Sequence, residues 1–493
     1  MSDSIKLMYD ETNPDSIEAY AKELIGMNFR QVEEESPYIE LIKEKSNYAN
    51  RKRKGGLGNL LEEAYFGYKA NSESEADFSK AGVELKVTPY EVRKGGKLSA
   101  GERLVLSMIS YTKPIEDDLY SSHMWNKCKL MLLIYYLRDK TLKSNMEYPI
   151  RYVSLFTPSK EDLLIIEQDY KIISDKIRNG KAHELSEGDT MYLGACTKGA
   201  TAEKSTVFQS FYAPDVKARK RAFCFKTSYM TYILNNYIVA KDNREERIIK
   251  DKEQLLANSF EDVVINRINS YKGKTDKELC ELFNREYNNN KAQWIDLAYR
   301  MLGIKSNAAE EFKKANVVVK AIRMEEDNKI QENMSFPAFK FMDIVTQDWE
   351  DSQLCEYFSV TKFLFVVFKK NERGTYELRG AQFWNMSVAE IEGDLKDVWI
   401  QLRNILLEGV KLIPKKTKSG YIVNNNLPKT VDNPIVHIRP HSQKGFYIID
   451  GIEYGNGTIK DANLLPDGNY MTTQSFWVHR EYIVSKIDNN LKK

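Results

Sequence analysis

Asp77-Phe-Ser-Lys-Ala-Gly-Val-Glu84-Leu-Lys86-Val-Thr-Pro89 is the stretch on which the fold turns. Val83 to Val87 alternates apolar and charged, the period of a strand with one buried face. Side chains two apart on a strand share a face. Glu84 and Lys86 therefore project together, while Val83, Leu85 and Val87 point into a core. A polar loop, Asn71 to Ala76, precedes Asp77. Before it, Gly55-Gly-Leu-Gly-Asn-Leu-Leu-Glu62-Glu-Ala-Tyr-Phe-Gly67 predicts a glycine loop and a short amphipathic helix, with Leu60, Leu61, Ala64 and Tyr65 inward.

These residues suit one chemistry. Hydrolysing a phosphodiester requires that the transition-state charge be neutralised, a water made nucleophilic and the leaving oxygen stabilised. Hard carboxylate oxygens suit Mg²⁺, which keeps several waters and takes one or two acids from a protein. Asp77 and Glu84 can supply those ligands. Lys86 can orient or deprotonate the attacking water, and Glu62 can hold a metal-bound water or the lysine. An Asp followed by Glu-x-Lys occurs in many charged proteins, so the surrounding sequence carries the weight.

That surrounding sequence, Lys54-Gly-Gly-Leu-Gly58-Asn-Leu-Leu-Glu62, then Asp77, then Gly82-Val-Glu84-Leu-Lys86-Val-Thr-Pro89, resembles the active-site signature of the MutH mismatch-repair nicking enzymes. It is also similar to that of the Sau-type GATC-cutting restriction endonucleases, both of the PD-(D/E)xK nuclease group. Ala76 stands where a proline is common. Lys181-Ala-His-Glu-Leu-Ser-Glu-Gly188, Cys196-Thr-Lys-Gly-Ala200 and Lys220-Arg-Ala-Phe-Cys-Phe-Lys226 resemble the restriction branch in particular, over nearly the whole chain. The resemblance implies a mixed β-sheet flanked by helices and a type II restriction endonuclease that cuts double-stranded DNA with Mg²⁺. It implies catalytic roles for Glu62, Asp77, Glu84 and Lys86, with Asp77 and Glu84 on the metal. It also implies DNA contacts from Lys54, Lys198, Arg219, Lys220, Arg221 and Lys226, of which Lys198 is the first choice for a base or phosphate contact.

A second copy of the pattern lies downstream. Glu311-Phe-Lys-Lys-Ala-Asn-Val-Val318-Val-Lys320 matches Asp77 to Lys86 at a constant offset of 234. Tyr299-Arg-Met-Leu-Gly303-Ile-Lys305 resembles Ala64 to Lys69, and Phe476 to Tyr482 resembles Phe223 to Tyr229. Three matches in order predict one fold present twice, as a catalytic copy over 1–240 and a degenerate copy over 255–493. The charged run Ala240 to Gln254 reads as an exposed helical connector, with 241–254 between the copies. Val318 replaces Glu84, and the position of Glu62 falls near Ala298. His437-Ile-Arg-Pro-His441 takes the place of the Cys196-Thr-Lys loop, so Arg439 and His441 are candidate DNA contacts. The expectation is an effector domain that binds a second target site.

The chain as a whole sets bounds. At 493 residues two or three domains are expected. Apolar residues at 42% and charged residues at 29% exclude a disordered chain. A net charge of +2 excludes little, because catalytic acids offset a basic cleft. The densest apolar run, Leu130 to Tyr136, is a buried strand rather than a membrane span, and the N-terminus lacks a signal peptide pattern, so a cytoplasmic protein is expected. The 5 cysteines have no paired spacing, arguing against zinc ribbons and disulfides. His183-Glu184 lacks the second histidine of a zinc-protease helix, and no phosphate-binding Gly-x-x-x-x-Gly-Lys motif occurs. Two rivals remain: a MutH-like nicking enzyme and a DNA-binding regulator that does not cut. Length and the duplication argue against the first, and the intact acids of one copy against the second. A monomer in solution with a possible DNA-induced dimer is expected.

Overall fold

The structure is a computed structural model that describes residues 7–38, 48, 55–68, 75–199, 205–240, 245–288, 290–418 and 420–493. It divides into two units, Met1–Ser259 with Ala308–Asn316, and Phe260–Asn307 with Val317–Lys493.

The strands of the first unit are β1 (Glu84–Val92), β2 (Leu98–Ala100), β3 (Leu104–Met108), β4 (Met131–Leu137), β5 (Ile150–Phe156), β6 (Leu193–Thr197), β7 (Thr206–Gln209), β8 (Ala213–Arg219) and β9 (Arg221–Phe225). A mixed sheet has the order β2-β1-β4-β5. Its β1 and β4 run parallel, with Glu84 opposite Met131 and Lys86 opposite Leu133. A strand covered on both faces must be apolar throughout, and β4, Met-Leu-Leu-Ile-Tyr-Tyr-Leu, is buried from Met131 to Tyr135. Val83 and Leu85 pack beneath with Phe29, Leu60, Leu61, Phe66 and Ile134, as the alternation predicts.

An antiparallel sheet, β3-β9-β6, and the β7–β8 hairpin complete the unit. The helix Lys160–Arg178 starts at a Ser159 cap and buries Ile165, Ile166, Tyr170, Ile173 and Ile177. Asp169 lies on that buried face. Its carboxylate accepts the N–H groups of Met191, Tyr192 and Leu193 at 2.7, 2.7 and 2.9 Å, which fixes where β6 begins.

Residues 245–252 are not helical, against the sequence expectation, and Ile248 and Ile249 are buried. Glu311 is the reason: its carboxylate takes the amides of Ile248 and Ile249 at 2.9 and 2.8 Å, so these are unavailable to a helical ladder. Glu311 belongs to the helix Glu310–Ala315, whose Lys314 is 1% exposed and bonds Asp162 and Glu310, each at 2.6 Å.

The second unit contains β10 (Val317–Met324), β11 (Met334–Phe339), β12 (Lys362–Lys370), β13 (Tyr376–Trp384), β14 (Ile413–Thr417), β15 (Gly420–Asn424), β16 (Val436–Pro440), β17 (Phe446–Ile449), β18 (Ile452–Gly455), β19 (Ala462–Leu464), β20 (Tyr470–Thr472) and β21 (Gln474–Val478). In the sheet β10-β12-β13 the first pair is parallel and the second antiparallel. The sheet β11-β21-β16 is antiparallel. A four-stranded sheet, β18-β17-β20-β19, and the β14–β15 hairpin complete the unit. The core gathers Phe336, Phe358, Phe363, Phe365, Trp399 and Phe476. Both units are mixed α/β, sheets flanked by helices. Among the described residues no helix is long and apolar enough to cross a membrane.

Candidate active site

Glu84 opens β1 and is 3% exposed. A buried carboxylate must be paired, and both oxygens of this one are. Lys86 Nζ lies 2.9 Å from Oε1 and Lys127 Nζ 3.0 Å from Oε2. Lys127 follows the short helix His123–Asn126 and also donates to the Glu75 carbonyl at 2.5 Å. It was not among the residues named from sequence. Its only signal is position: Lys127 stands four residues before Met131, the register partner of Glu84, and that register is not visible in the chain.

Asp77 is brought alongside by a tight turn. Phe78 N donates to Val83 O at 2.9 Å, and Gly82 takes the left-handed φ of +67° that reverses the chain. Leu85 N then donates to Asp77 Oδ2 at 2.9 Å. Glu62 rides on a π-helical turn, Leu61–Tyr65, continuing the helix Gly56–Leu60. Such turns are rare and frequent at functional sites. Leu60, Leu61, Ala64 and Tyr65 are buried, as predicted.

Three acids are thus crowded against two lysines. Burial, then Asp77 and Glu84, push the Glu62 carboxyl up to about 7. Burial, then Glu84, push Asp77 up to about 6, although the Leu85 N–H, Lys127 and Lys86 pull the other way. Acids whose mutual field opposes their ionisation fit a divalent cation, whose charge would offset that field. Among the described residues no three His, Cys, Asp or Glu side chains form a ready cage. A cation held by one or two carboxylates plus water fits this donor set.

The basic residues divide by burial. Lys198 follows β6 and is half-buried; its N–H donates to Lys220 O at 2.8 Å, and Lys220 N donates to Ser205 O at 2.6 Å. Lys198 and the exposed Lys220 thus share one end of the β3-β9-β6 sheet, with half-buried Arg219 closing β8. Arg221 and Lys226 differ from the expectation of DNA contacts. Arg221 is 5% exposed and donates to Ala195 O at 2.6 Å; Lys226 is 1% exposed and donates to Thr190 O. β9 is the central strand of its sheet, so an inward residue there is enclosed whatever its charge. Arg221 thus braces β6 from inside, and Lys226, just after β9, holds the Thr190 carbonyl ahead of β6. Lys54 lies outside the described residues. In the second unit Arg439 is exposed, its guanidinium 5.3 Å from the Trp477 ring centre. His441 is also exposed, with Nδ1 3.3 Å from Ser475 Oγ.

Residues 66–169, which hold Asp77, Glu84, Lys86 and Lys127, match the family model of the DNA mismatch repair enzyme MutH. The chain is 35% identical over 467 residues to the type II restriction enzyme Sau3AI of Staphylococcus aureus, covering 90% of this chain and 94% of that enzyme. It is 24% identical over 230 residues to the DNA mismatch repair protein MutH of Vibrio vulnificus, covering 46% of this chain and 94% of that protein. To MutH of Vibrio campbellii it is 28% identical over 230 residues, 45% of this chain and 93% of that protein. Identity sustained over nine-tenths of the length, on a site that keeps the acids and the lysine together, places this chain in the family of the type II restriction enzyme Sau3AI, to which MutH is related.

Proposed function

We propose that the chain is a site-specific deoxyribonuclease that hydrolyses both strands of double-stranded DNA at GATC, with Mg²⁺ as cofactor. The convergence of Asp77, Glu84 and Lys86 on one edge of β1 carries this reading. Mg²⁺ bound by Asp77 and Glu84 would polarise the phosphate and acidify a water. The Leu85 amide fixes the Asp77 carboxylate. Lys127 and Lys86 hold Glu84 in one rotamer, and the Lys86 ammonium stands where it can orient the attacking water and offset phosphate charge. Glu62, on the π-helical turn beside these acids, would orient that water. Lys198 and Lys220 face the DNA, with Arg219 beside them. Digesting a plasmid of known sequence with Mg²⁺ and mapping the ends tests the target. Asp77→Ala and Glu84→Ala proteins should bind the site but not cut it. Cleavage by Glu84→Ala at near wild-type rate would place the chemistry elsewhere.

We infer further that 255–493 is a degenerate copy of the catalytic domain 1–240, joined through 241–254, and that it binds a second DNA site. Three observations support this. The parallel-then-antiparallel order β10-β12-β13 repeats β1-β4-β5, and β11-β21-β16 repeats β3-β9-β6. Lys320 falls at the position of Lys86 but Val318 at that of Glu84. Arg439 keeps an exposed charge at the place of Lys198. A monomer that pairs only on DNA is consistent with one catalytic set per chain.

A further inference from the structure

In the second unit a cavity of about 390 Å³ lies along β10, lined by its residues 319–323, by Lys291 and Trp294 of the helix Lys291–Leu302, and by Glu332. That volume is near the lower end of small-molecule sites, roughly 300–1,000 Å³. Its lining carries three cations, Lys291, Lys320 and Arg323, against one carboxylate, Glu332. Glu332 is shared by Lys291 at 2.8 Å and Arg323 at 3.9 Å. Arg323 also lies 5.5 Å from the Trp294 ring centre, which keeps its guanidinium in place. The Lys320 side chain has no hydrogen-bond or ion-pair partner among the described residues. Burial pulls its pKa down with no opposing charge.

Lys320 is half-buried, and an ammonium partly removed from water without a counter-charge is unfavourable. A catalytic role does not account for it. Val318 stands at the position of Glu84, and Glu311, at that of Asp77, has its carboxylate engaged by two backbone amides. Lys320 is thus a lysine without the acids that would use it. We propose that this cavity binds a phosphoryl group of a nucleotide, with Lys320 as its central ligand. The lining's excess of two positive charges matches a phosphomonoester dianion, and Arg323 offers the planar fork that phosphate oxygens favour. A free 5′-mononucleotide presents that dianion, and a DNA strand presents the same phosphoryl oxygens as a phosphodiester monoanion. The site stands independently of the effector reading, because either source can fill it.

The test uses the full chain in EDTA, so that no metal-held phosphate contributes, and follows calorimetric titration with dAMP, inorganic phosphate and deoxyadenosine. dAMP and phosphate should bind, and deoxyadenosine should not. Lys320→Met should weaken dAMP binding at least about tenfold, since a charge-assisted hydrogen bond is lost, while Lys320→Arg retains it. Lys320→Met should melt no lower than wild type, because it removes an unpaired charge, so lost binding cannot be put down to misfolding. Displacement of dAMP by a short duplex with 5′-hydroxyl ends would identify DNA phosphate as the occupant; persistence of dAMP would identify the free nucleotide. No dAMP binding up to about 10 mM, an affinity of only a few kcal/mol, would overturn the proposal. So would equal affinity of Lys320→Met, or deoxyadenosine binding as well as dAMP.

Discussion

At Glu84 one enclosed carboxylate is shared by two ammonium groups, and the two lysines do different things. Lys86 lies on the same strand, and on the proposed mechanism it serves the reaction; Lys127 is tethered to the Glu75 carbonyl and bonds the other oxygen of Glu84. On the proposed mechanism Lys127 is a positioning residue. Lys127→Met should lower single-turnover cleavage by roughly 10–100-fold, as supporting partners of a metal ligand do, while leaving metal-free affinity for cognate DNA unchanged. Lys127→Arg should recover part of the rate. A merely structural lysine would lower DNA binding along with cleavage. At the other basic cluster, burial separates residues that look alike in sequence. Lys198→Ala should cost roughly 1–3 kcal/mol on cognate DNA and little on random DNA if it reads a base. Equal losses on both, with a salt slope reduced by about one, would make it a phosphate contact. Arg221→Met should instead lower the melting temperature, because it strips the Ala195 carbonyl of its partner.

Elements differ in how far their sequence betrays them. The alternation Val83–Val87, the apolar run of β4 and the inward face of the helix before Glu62 were legible, because each buries one periodic face against a local core. What the chain hides is set by contacts distant in sequence. The register that brings Lys127 to Glu84 is one such case. The interior position of Arg221 and Lys226 is another, since a basic run gives no sign of which strand becomes central. Residues 245–252 were misread as helix for the same reason, their amides being claimed by Glu311. That docking depends on Lys314, enclosed between Asp162 and Glu310 and lying 4.7–6.0 Å from the ring centres of Tyr192, Tyr229, Tyr232 and Tyr237. Removing one partner of a buried pair strands the other charge, so Lys314→Met should destabilise the first unit by roughly 3–5 kcal/mol in denaturant unfolding. Arg247→Met, at a pair whose arginine is half exposed, should cost less than about 1 kcal/mol. In the second unit β16 and the end of β21 bring the buried rings of His437 and His479 to 4.7 Å. Burial, then His479 and Arg439, hold His437 down to about 4. A histidine depressed in the fold favours the folded state fully above its ordinary value near 6.5. That stability is lost as pH falls from about 6.5 towards 4. Acid unfolding of the second unit should therefore begin in this window, and His437→Phe should shift its onset to lower pH.

At the scale of the whole molecule the question is why a chain would carry a second sheet assembly without the acids. On the proposed reading, a unit that keeps an exposed basic position at Arg439 but has Val318 at the place of Glu84 would grip DNA without cutting it. Grip alone does not regulate. For a second bound site to accelerate cutting, DNA must bind that unit more tightly when the catalytic unit is in its cutting conformation than when it is not. The ratio of those two affinities then sets the largest acceleration available, so a modest preference of 1–3 kcal/mol gives roughly 5- to 150-fold. DNA carrying two target sites should thus be cut faster than DNA carrying one, and a short cognate duplex supplied in trans should rescue the slow substrate. Arg439→Ala should weaken this stimulation and leave one-site cleavage largely intact, because Arg439 belongs to the unit that lacks the catalytic acids. A scaffold or nonspecific clamp makes a different forecast: the two substrates would be cut at the same rate at every enzyme concentration, and a random duplex in trans would serve as well as a cognate one. Rates measured on one-site and two-site plasmids, with cognate and random duplexes added, therefore decide between an effector and a clamp.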